Sequence, residues 1–390
     1  MKNKEIETLL SRGVMDVIVR EDLEKKISSG KVLRIKLGID PTGSRLHIGR
    51  AVPLRKLRTL QNLGHKIVLI IGDFTGQVGD ASDKEAERPM LSEEKVKENM
   101  KSYKKYFGKF LDIDKCEVHY NSEWLGKLNF HDICKLADHF SVAEMLDRDN
   151  FSKRYKEGKR ISLREFLYPL MQGYDSIAIR ADIEIGGNDQ LFNLLAGRTL
   201  QRAFGQEPQN IMTFQLLEGT DGRKMSTTWG NAIYIDDEPN EMFGKIMSIP
   251  DSLLMRYFEM CTDEDLSEMK KFAKNDPRNA KVHLAKCIVT EYHSSAAADA
   301  AEKDFETKFV KKEVPENIPE FKILQKEIGI LELIAHCKFA PSNSEARRLI
   351  QGGGVTLDGE KISDPNAIIK ITNAHILKVG KRQWAKIIKK

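Results

Sequence analysis

The sequence predicts an α/β protein: a doubly wound parallel sheet, then an α-helical domain, then a small α+β unit. Three observations carry that prediction. A strand, a helix and a second strand follow one another early in the chain, the pattern of a βαβ unit. Strand signals fade after about residue 235, where helical segments replace them. The final stretch, residues 331–390, joins helix patterns and short strands around Gly352-Gly353-Gly354, and it holds the whole excess of positive charge.

The elements follow in order. LRIKLGID, residues 33–40, alternates and runs into Asp40-Pro41-Thr42-Gly43, a turn signal. From His47 to about Leu63, Ile48, Val52, Leu54, Leu57 and Leu60 recur at helical spacing, and Gly64 closes the helix. IVLIIGDF, residues 67–74, is a short β-branched apolar run, as in a strand buried on both faces. Further strands are predicted at Cys116–Tyr120, Ile183–Gly186 and Ile211–Leu216. Together these read as a Rossmann-like sheet within residues 1–232. Segments 240–248, 250–259, 263–274 and 281–307 predict an α-helical domain over 233–310. The charged, proline-bearing stretch 311–328 reads as a linker, and 329–390 as a third unit.

Composition excludes several classes. The chain has 390 residues, enough for two or three domains, and 41% apolar residues, too many for wholesale disorder. No apolar run approaches the roughly 20 residues of a membrane helix. MKNKEIETLLSRG has no apolar signal core, so a cytoplasmic protein with no membrane partner is expected. Cys116, Cys134, Cys261, Cys287 and Cys337 are scattered and never in C-x-x-C spacing, which fits a reducing compartment and predicts no structural metal. The charge is informative once divided. Residues 331–390 hold 11 Lys+Arg and 5 Asp+Glu, which leaves 52 and 53 of the 63 and 58 for residues 1–330. A basic end on a balanced body suggests a polyanion-binding module.

Four segments carry candidate chemistry. Asp40-Pro41-Thr42, then His47-Ile48-Gly49-Arg50, sit where a helix begins after the first predicted strand. A helix N-terminus offers unpaired N–H groups and partial positive charge, which suits phosphate. An ordinary helix start with an incidental imidazole fits HIG alone better. Lys224-Met225-Ser226-Thr227-Thr228, after Asp221-Gly222-Arg223, reads as a polar loop whose cations could follow a leaving pyrophosphate, or as a solvated turn. Tyr168, Gln172 and Asp175, spaced i, i+4, i+7, project from one helix face. Leu167, Leu170 and Met171 predict that this helix is largely buried, so its polar groups need partners, from a ligand or from the chain. Gly186-Gly187-Asn188-Asp189-Gln190 ends a strand at the edge where such sheets bind ligands. Neither it nor Gly72…Gly76…Gly79 is the G-x-G-x-x-G of dinucleotide sites.

H-I-G-x early and K-M-S-x-x far downstream resemble the two signatures of class I aminoacyl-tRNA synthetases. KLGIDPTGSRLHIGR, GDFTGQVGD, YPLMQGYD, GGNDQ and KMSTT in that order resemble the bacterial tyrosyl-tRNA synthetases, across nearly the whole chain. That resemblance implies tyrosine, ATP with Mg2+ and tRNA(Tyr) as substrates and a homodimer. It implies that Thr42 and His47 contact the ATP phosphates and that Asp40, Gly49 and Arg50 lie along the nucleotide. Gly187, Asp189 and Met225 would lie near ribose and adenine. Asp80, Tyr168 and Gln172 would hold the tyrosine ammonium, Asp175 would accept from the phenol, and Gly38, Asn121 and Gln190 would complete the tyrosine pocket. Lys84, Arg88 and Lys224 would clamp pyrophosphate, with Thr228 in the catalytic set. The chemistry agrees: the tyrosine carboxylate is already ionised, so positioning and charge neutralisation suffice without a protein nucleophile.

Three positions depart from the family pattern. Arg50 replaces the second histidine of HIGH, and could reach phosphate or crowd the nucleotide. Thr227 replaces the second lysine of KMSKS, a loss that eukaryotic members share. Lys36 stands where many bacterial members have a tyrosine that shares the phenol, and is expected to point elsewhere or to pair with Asp175. Residues 331–364 resemble the S-four-like RNA-binding domain. Ser344, Arg347, Arg348, Lys378, Lys381 and Arg382 are its candidate RNA contacts, beside Trp384. The leading expectation is a tyrosine–tRNA ligase. The alternative is a paralogue that activates tyrosine or a related amino acid for a non-tRNA acceptor.

Overall fold

The structure is a computed structural model that describes residues 3–80, 90–227, 229–310, 318–371, 374–380 and 383–389. Lys84, Arg88, Thr228, Lys381 and Arg382 lie outside the described residues. The chain divides into two compact units, Met1–Asp299 and Ala300–Lys390.

The first unit is built on six strands: β1 (Val14–Ile18), β2 (Arg34–Ile39), β3 (Lys66–Ile71), β4 (Glu117–Tyr120), β5 (Ile183–Gly187) and β6 (Asn210–Phe214). Their order is β1-β6-β5-β2-β3-β4. All neighbours are parallel except β1, which runs antiparallel to β6. The doubly wound parallel sheet is present, with β1 added at its edge. VMDVI has no strict alternation, so pairing with β6, more than its own pattern, makes it a strand. Ile35, Leu37, Ile67, Val68, Leu69 and Ile70 are all buried. Strands of a parallel sheet covered on both faces read as continuous apolar runs for this reason.

Three helices matter for the site: α1 (Ile48–Asn62), α2 (Leu163–Ile179) and α3 (Leu191–Ala203). Ser162 and Glu165 form a capping box that starts α2, and Arg180, at φ 51°, stops it. Gly173 lets α2 and α3 approach closely: a Cβ there would lie 2.9 Å from Leu200 Cδ1 and 3.1 Å from the Ala196 carbonyl carbon. Leu170 is buried as expected, but Leu167 is exposed. It shares an outer face of α2 with exposed Leu163, one turn away.

The helical segments after residue 235 are Pro239–Met247, Leu254–Cys261, Leu266–Asn275, Pro277–Tyr292 and Ser295–Phe305. The expected single helix over 281–307 is two. His293 leaves helical geometry (φ −129°, ψ −94°) and donates from Nε2 to the Asp237 carbonyl at 2.9 Å, a tertiary bond that the apolar spacing does not reveal.

The second unit holds β7 (Glu320–Ile323), β8 (Glu327–Gly329), β9 (Val355–Leu357), β10 (Glu360–Lys361), β11 (Ile368–Lys370), β12 (His375–Val379) and β13 (Gln383–Lys389). They form a five-stranded sheet ordered β10-β9-β12-β13-β7 and a β11-β8 pair. The helices Ile330–His336 and α4 (Asn343–Gln351) pack on a core that includes Leu333, Ile350, Val355, Leu377 and Ile387. The stretch expected as linker supplies β7 and β8, because Ile323 and Ile328 are buried in that core. Among the described residues, no helix is long and apolar enough to cross a membrane.

Candidate active site

The described candidate residues of the first unit gather at the carboxyl ends of β2 to β5, around the point between β2 and β5 where the strand order reverses. That is where open α/β sheets bind ligands.

His47 caps α1 with extended backbone (φ −92°, ψ 159°), and its ring is buried. Burial, reinforced by Arg50 and Lys224, pushes the imidazole down to about 3, so it is neutral at physiological pH. Its Nδ1 has no hydrogen-bond partner among the described residues. Gly49 makes room for this ring: a Cβ there would lie 3.1 Å from His47 Nδ1. Arg50 donates from Nη2 to the Thr42 hydroxyl at 3.1 Å, so it braces the loop after β2.

A hydrogen-bonded chain then crosses the site. The Tyr168 hydroxyl donates to Asp40 Oδ2 at 2.8 Å, and Thr75 Oγ1 donates to Asp40 Oδ1 at 2.7 Å. Asn121 Nδ2 donates to Thr75 Oγ1 at 2.9 Å and to Asp175 Oδ2 at 3.3 Å. Trp124 Nε1 completes the chain, 2.7 Å from Asp175 Oδ1. Burial pushes the Asp175 carboxyl up to about 7, while Lys36, Trp124 and Asn121 pull it down and Glu184 adds to the rise. Tyr168 is held protonated by burial and by Asp40 beside it.

The remaining tyrosine-pocket candidates surround that chain. Gln172 Nε2 donates to Glu184 Oε1 at 3.2 Å, which leaves its own oxygen as the acceptor an ammonium requires. Gln190 Nε2 donates to Asp80 Oδ2 at 2.7 Å, and Asn193 Nδ2 donates to Gln190 Oε1 at 2.9 Å. Gly38 is exposed with nothing within 4 Å of where a Cβ would stand, so the end of β2 is open to a ligand. Lys36 does not pair with Asp175. It is fully buried and pairs with Glu184 at 2.8 Å.

Gly187 lies against Asp189, which accepts from Lys224 Nζ at 3.0 Å. Met225 is buried, its N–H bonded to the Leu217 carbonyl at 3.0 Å. The polar loop is tied by a residue that its sequence does not single out. Buried Asn231 donates to Asp221 Oδ1 at 2.8 Å and to the Lys224 carbonyl at 3.1 Å, and accepts from Ser226 N–H at 2.9 Å. Thr75, Trp124, Glu184 and Asn231 are therefore functional neighbours that motif reading misses. Thr75 lies within GDFTGQVGD but has no role assigned from it, and the other three stand outside the quoted motifs.

In the second unit, Ser344, Arg347 and Arg348 are exposed on α4, where Arg348 pairs with Glu345. Lys378 on β12 holds its Nζ 4.5 Å from the Trp384 ring centre on β13. Lys361 extends over Gly353, whose φ of 69° and missing Cβ make the space.

The scattered cysteines include one that folding brings to other ligand types. The Cys287 thiol lies 3.6 Å from Glu264 Oε1 and 3.6 Å from His283 Nε2. Burial and Glu264 push this thiol up to about 12. The thiol donates to Glu264, whose other oxygen lies 3.4 Å from His283 Nε2.

The fold has the form of a class I tRNA synthetase. A family profile described as tRNA synthetases class I (W and Y) matches residues 28–310. A second, described as the Tyrosine--tRNA ligase SYY-like C-terminal domain, matches residues 310–387. The Tyrosine--tRNA ligase of Carboxydothermus hydrogenoformans is 49% identical, covering 97% of each chain. That of Thermotoga maritima is 46% identical over 97% of this chain and 96% of its own. The chain belongs to the tyrosine–tRNA ligase family. In fold it resembles the Archaeoglobus fulgidus tyrosyl-tRNA synthetase crystallised with L-tyrosine (TM-score 0.62, 21% identity, 77% of this chain and 99% of that one).

Proposed function

We propose that the chain activates tyrosine with ATP, carried with Mg2+, and then transfers the tyrosyl group to the 3′ end of tRNA(Tyr). In the first step a tyrosine carboxylate oxygen bonds to the α-phosphorus of ATP as the bond to pyrophosphate breaks. In the second a ribose hydroxyl of the tRNA takes the acyl group and AMP leaves. The observation that carries this reading is the buried acceptor Asp175, held by Trp124 and Asn121 at one end of a chain that reaches Asp40. A phenol fills such a site, and phenylalanine leaves it unpaired, a selection for which this family is itself the general example. A non-tRNA acceptor is disfavoured, because the relatives match over nearly their full length, RNA-binding end included.

We propose these roles with it, those of Lys84, Arg88, Thr228, Lys381 and Arg382 resting on the family resemblance alone. Neutral His47 donates to the phosphates with Thr42, which Arg50 braces. Gly49 and Asp40 border the nucleotide, and Gly187, Asp189 and Met225 its ribose and adenine. Asp80, Tyr168 and Gln172 face the ammonium, while Gly38, Asn121 and Gln190 complete the pocket. Lys224 leaves Asp189 for the pyrophosphate, joined by Lys84, Arg88 and Thr228. The α-helical part and the basic C-terminal unit, with Ser344, Arg347, Arg348, Lys378, Lys381 and Arg382, bind the tRNA. We take 1–232 as catalytic, 233–310 as helical and the C-terminal unit, with β7 and β8 part of it, as RNA-binding. We take a homodimer as the working assembly. Phe130, Val142, Leu163 and Leu167 are exposed on helices that share one apolar cluster, a surface suited to a second copy. Charging of tRNA(Tyr) with labelled tyrosine tests the function. Pyrophosphate exchange without charging would favour the non-tRNA acceptor. Sedimentation tests the dimer.

A further inference from the structure

Beneath the tyrosine pocket lies a buried charge pair that the reaction itself does not use. Lys36 on β2 and Glu184 on β5 are register partners in adjacent parallel strands, and both are fully buried. All three Lys36 donors are engaged: Glu184 Oε1, the Gln172 carbonyl and Ser176 Oγ, each at 2.8 Å. Glu184 in turn accepts from Gln172 Nε2 at 3.2 Å, from Ser176 Oγ at 3.0 Å and from Gln209 Nε2. The backbone makes space for this network. At Gly197 on α3 a Cβ would lie 2.5 Å from Gln209 Nε2, 2.9 Å from Ser176 Oγ and 3.3 Å from Glu184 Oε2.

A buried ion pair is a poor device for stability alone, since apolar residues of similar volume do as well or better. Its contacts here are selective. The pair grips α2 at Gln172 and Ser176, on either side of Asp175 along the helix. Lys36 is also the formal positive charge that acts most strongly on Asp175. We infer that Lys36 and Glu184 are positioning residues for tyrosine selection, holding Gln172 and Asp175 in register and setting the field at Asp175. The inference rests on the reading of Asp175 and Gln172 as tyrosine contacts.

The groups facing Asp175 are Lys36 from β2, Glu184 from β5, Asn121 and Trp124 after β4, and Tyr168 on its own helix. Of the charged ones, Lys36 acts more strongly than Glu184, so loss of both leaves Asp175 harder to ionise.

The test is ATP–pyrophosphate exchange with tyrosine and phenylalanine across about pH 5.5–9, using the full chain. Lys36→Met alone strands Glu184 and can fail to fold, so the decisive variant is Lys36→Met/Glu184→Met, which removes both charges. It is expected to stay folded by thermal unfolding. Its KM for tyrosine should rise about tenfold with kcat within about twofold, and its Tyr/Phe ratio should fall about tenfold. The acid limb of kcat/KM for tyrosine should move to higher pH, which poorer packing alone does not produce. Glu184→Gln, keeping the lysine, should move that limb to lower pH. A folded double variant with the wild-type limb and Tyr/Phe ratio overturns the inference. Asp175→Ala run alongside separates the two levels: an unchanged Tyr/Phe ratio there overturns the site reading, and this inference with it.

Discussion

Trp124 donates its indole N–H to Oδ1 of Asp175 at 2.7 Å, so the proposed selector for the phenol is gripped from outside its own helix. Asn121 holds the other oxygen at 3.3 Å. A carboxylate with these donors still accepts a third hydrogen bond, and a ligand hydroxyl supplies it.

Asp175→Ala is expected to raise the use of phenylalanine relative to tyrosine by about 10- to 10²-fold, the scale of removing a charge-assisted bond worth ~1.5–3 kcal/mol. Trp124→Phe keeps the ring but not the N–H, and should lower kcat/KM for tyrosine about tenfold. Exchange kinetics with each amino acid check both. An unchanged discrimination ratio in the alanine variant removes Asp175 from its role.

Stability should respond to Asp175 and His47 with opposite signs. Asp175 is raised to about 7 from the ordinary 3.8, so its contribution is present at low pH and lost as pH rises through about 7. Asp175→Asn should therefore gain stability relative to the parent between about pH 4 and pH 8 in the ligand-free chain. His47 is lowered to about 3 from 6.5, so the folded state refuses a proton that the unfolded chain accepts. Stability is lost as pH falls below about 6.5, and His47→Gln should flatten that loss. Thermal melts at a series of pH values read both slopes, and parallel curves for parent and variants would contradict the assignment.

One carboxamide, that of Asn231, bonds the loop at 221–226 at Asp221, Lys224 and Ser226, and the loop's proposed task is electrostatic. Asn231→Ala should leave the tyrosine KM unchanged while reducing the rate of adenylate formation about tenfold, because Lys224 is less well placed. Lys224→Met should cost more, about 10²-fold in the same rate. Single-turnover measurement of pyrophosphate release distinguishes them from binding defects. An effect of Asn231→Ala on tyrosine KM alone would show that the loop serves the other substrate.

What the sequence made legible depended on whether a residue acts within its own segment. Tyr168, Gln172 and Asp175 share a helix face, so spacing alone brought them together. β2, α1 and β3 were readable because apolar period distinguishes a doubly covered strand from a helix. Trp124, Glu184 and Asn231 were not readable, since each acts on a partner in another segment, 51, 12 and 10 residues away. β1 and β7 were missed for the same reason: each becomes a strand through a partner distant in the chain, β6 and β13. Lys36 was visible as a departure from pattern, but its partner Glu184 was fixed only by strand register.

The second unit allows a separation of binding from chemistry. Arg347 and Arg348 are exposed on α4, and Lys378 lies over Trp384 on the neighbouring strand. Replacing Arg347 by Ala should weaken tRNA binding and reduce the slope of log K against log salt by about one for each phosphate no longer neutralised. Arg348→Ala should do less, because its guanidinium is already shared with Glu345. Trp384→Ala should weaken binding with a smaller change in salt slope, since stacking on a base releases no counterion. None of the three should change ATP–pyrophosphate exchange, which needs no tRNA. Filter binding at several salt concentrations, beside exchange on the same preparations, is the measurement. A variant that loses exchange and binding together would place its side chain in the stability of the chain and take it off the RNA surface.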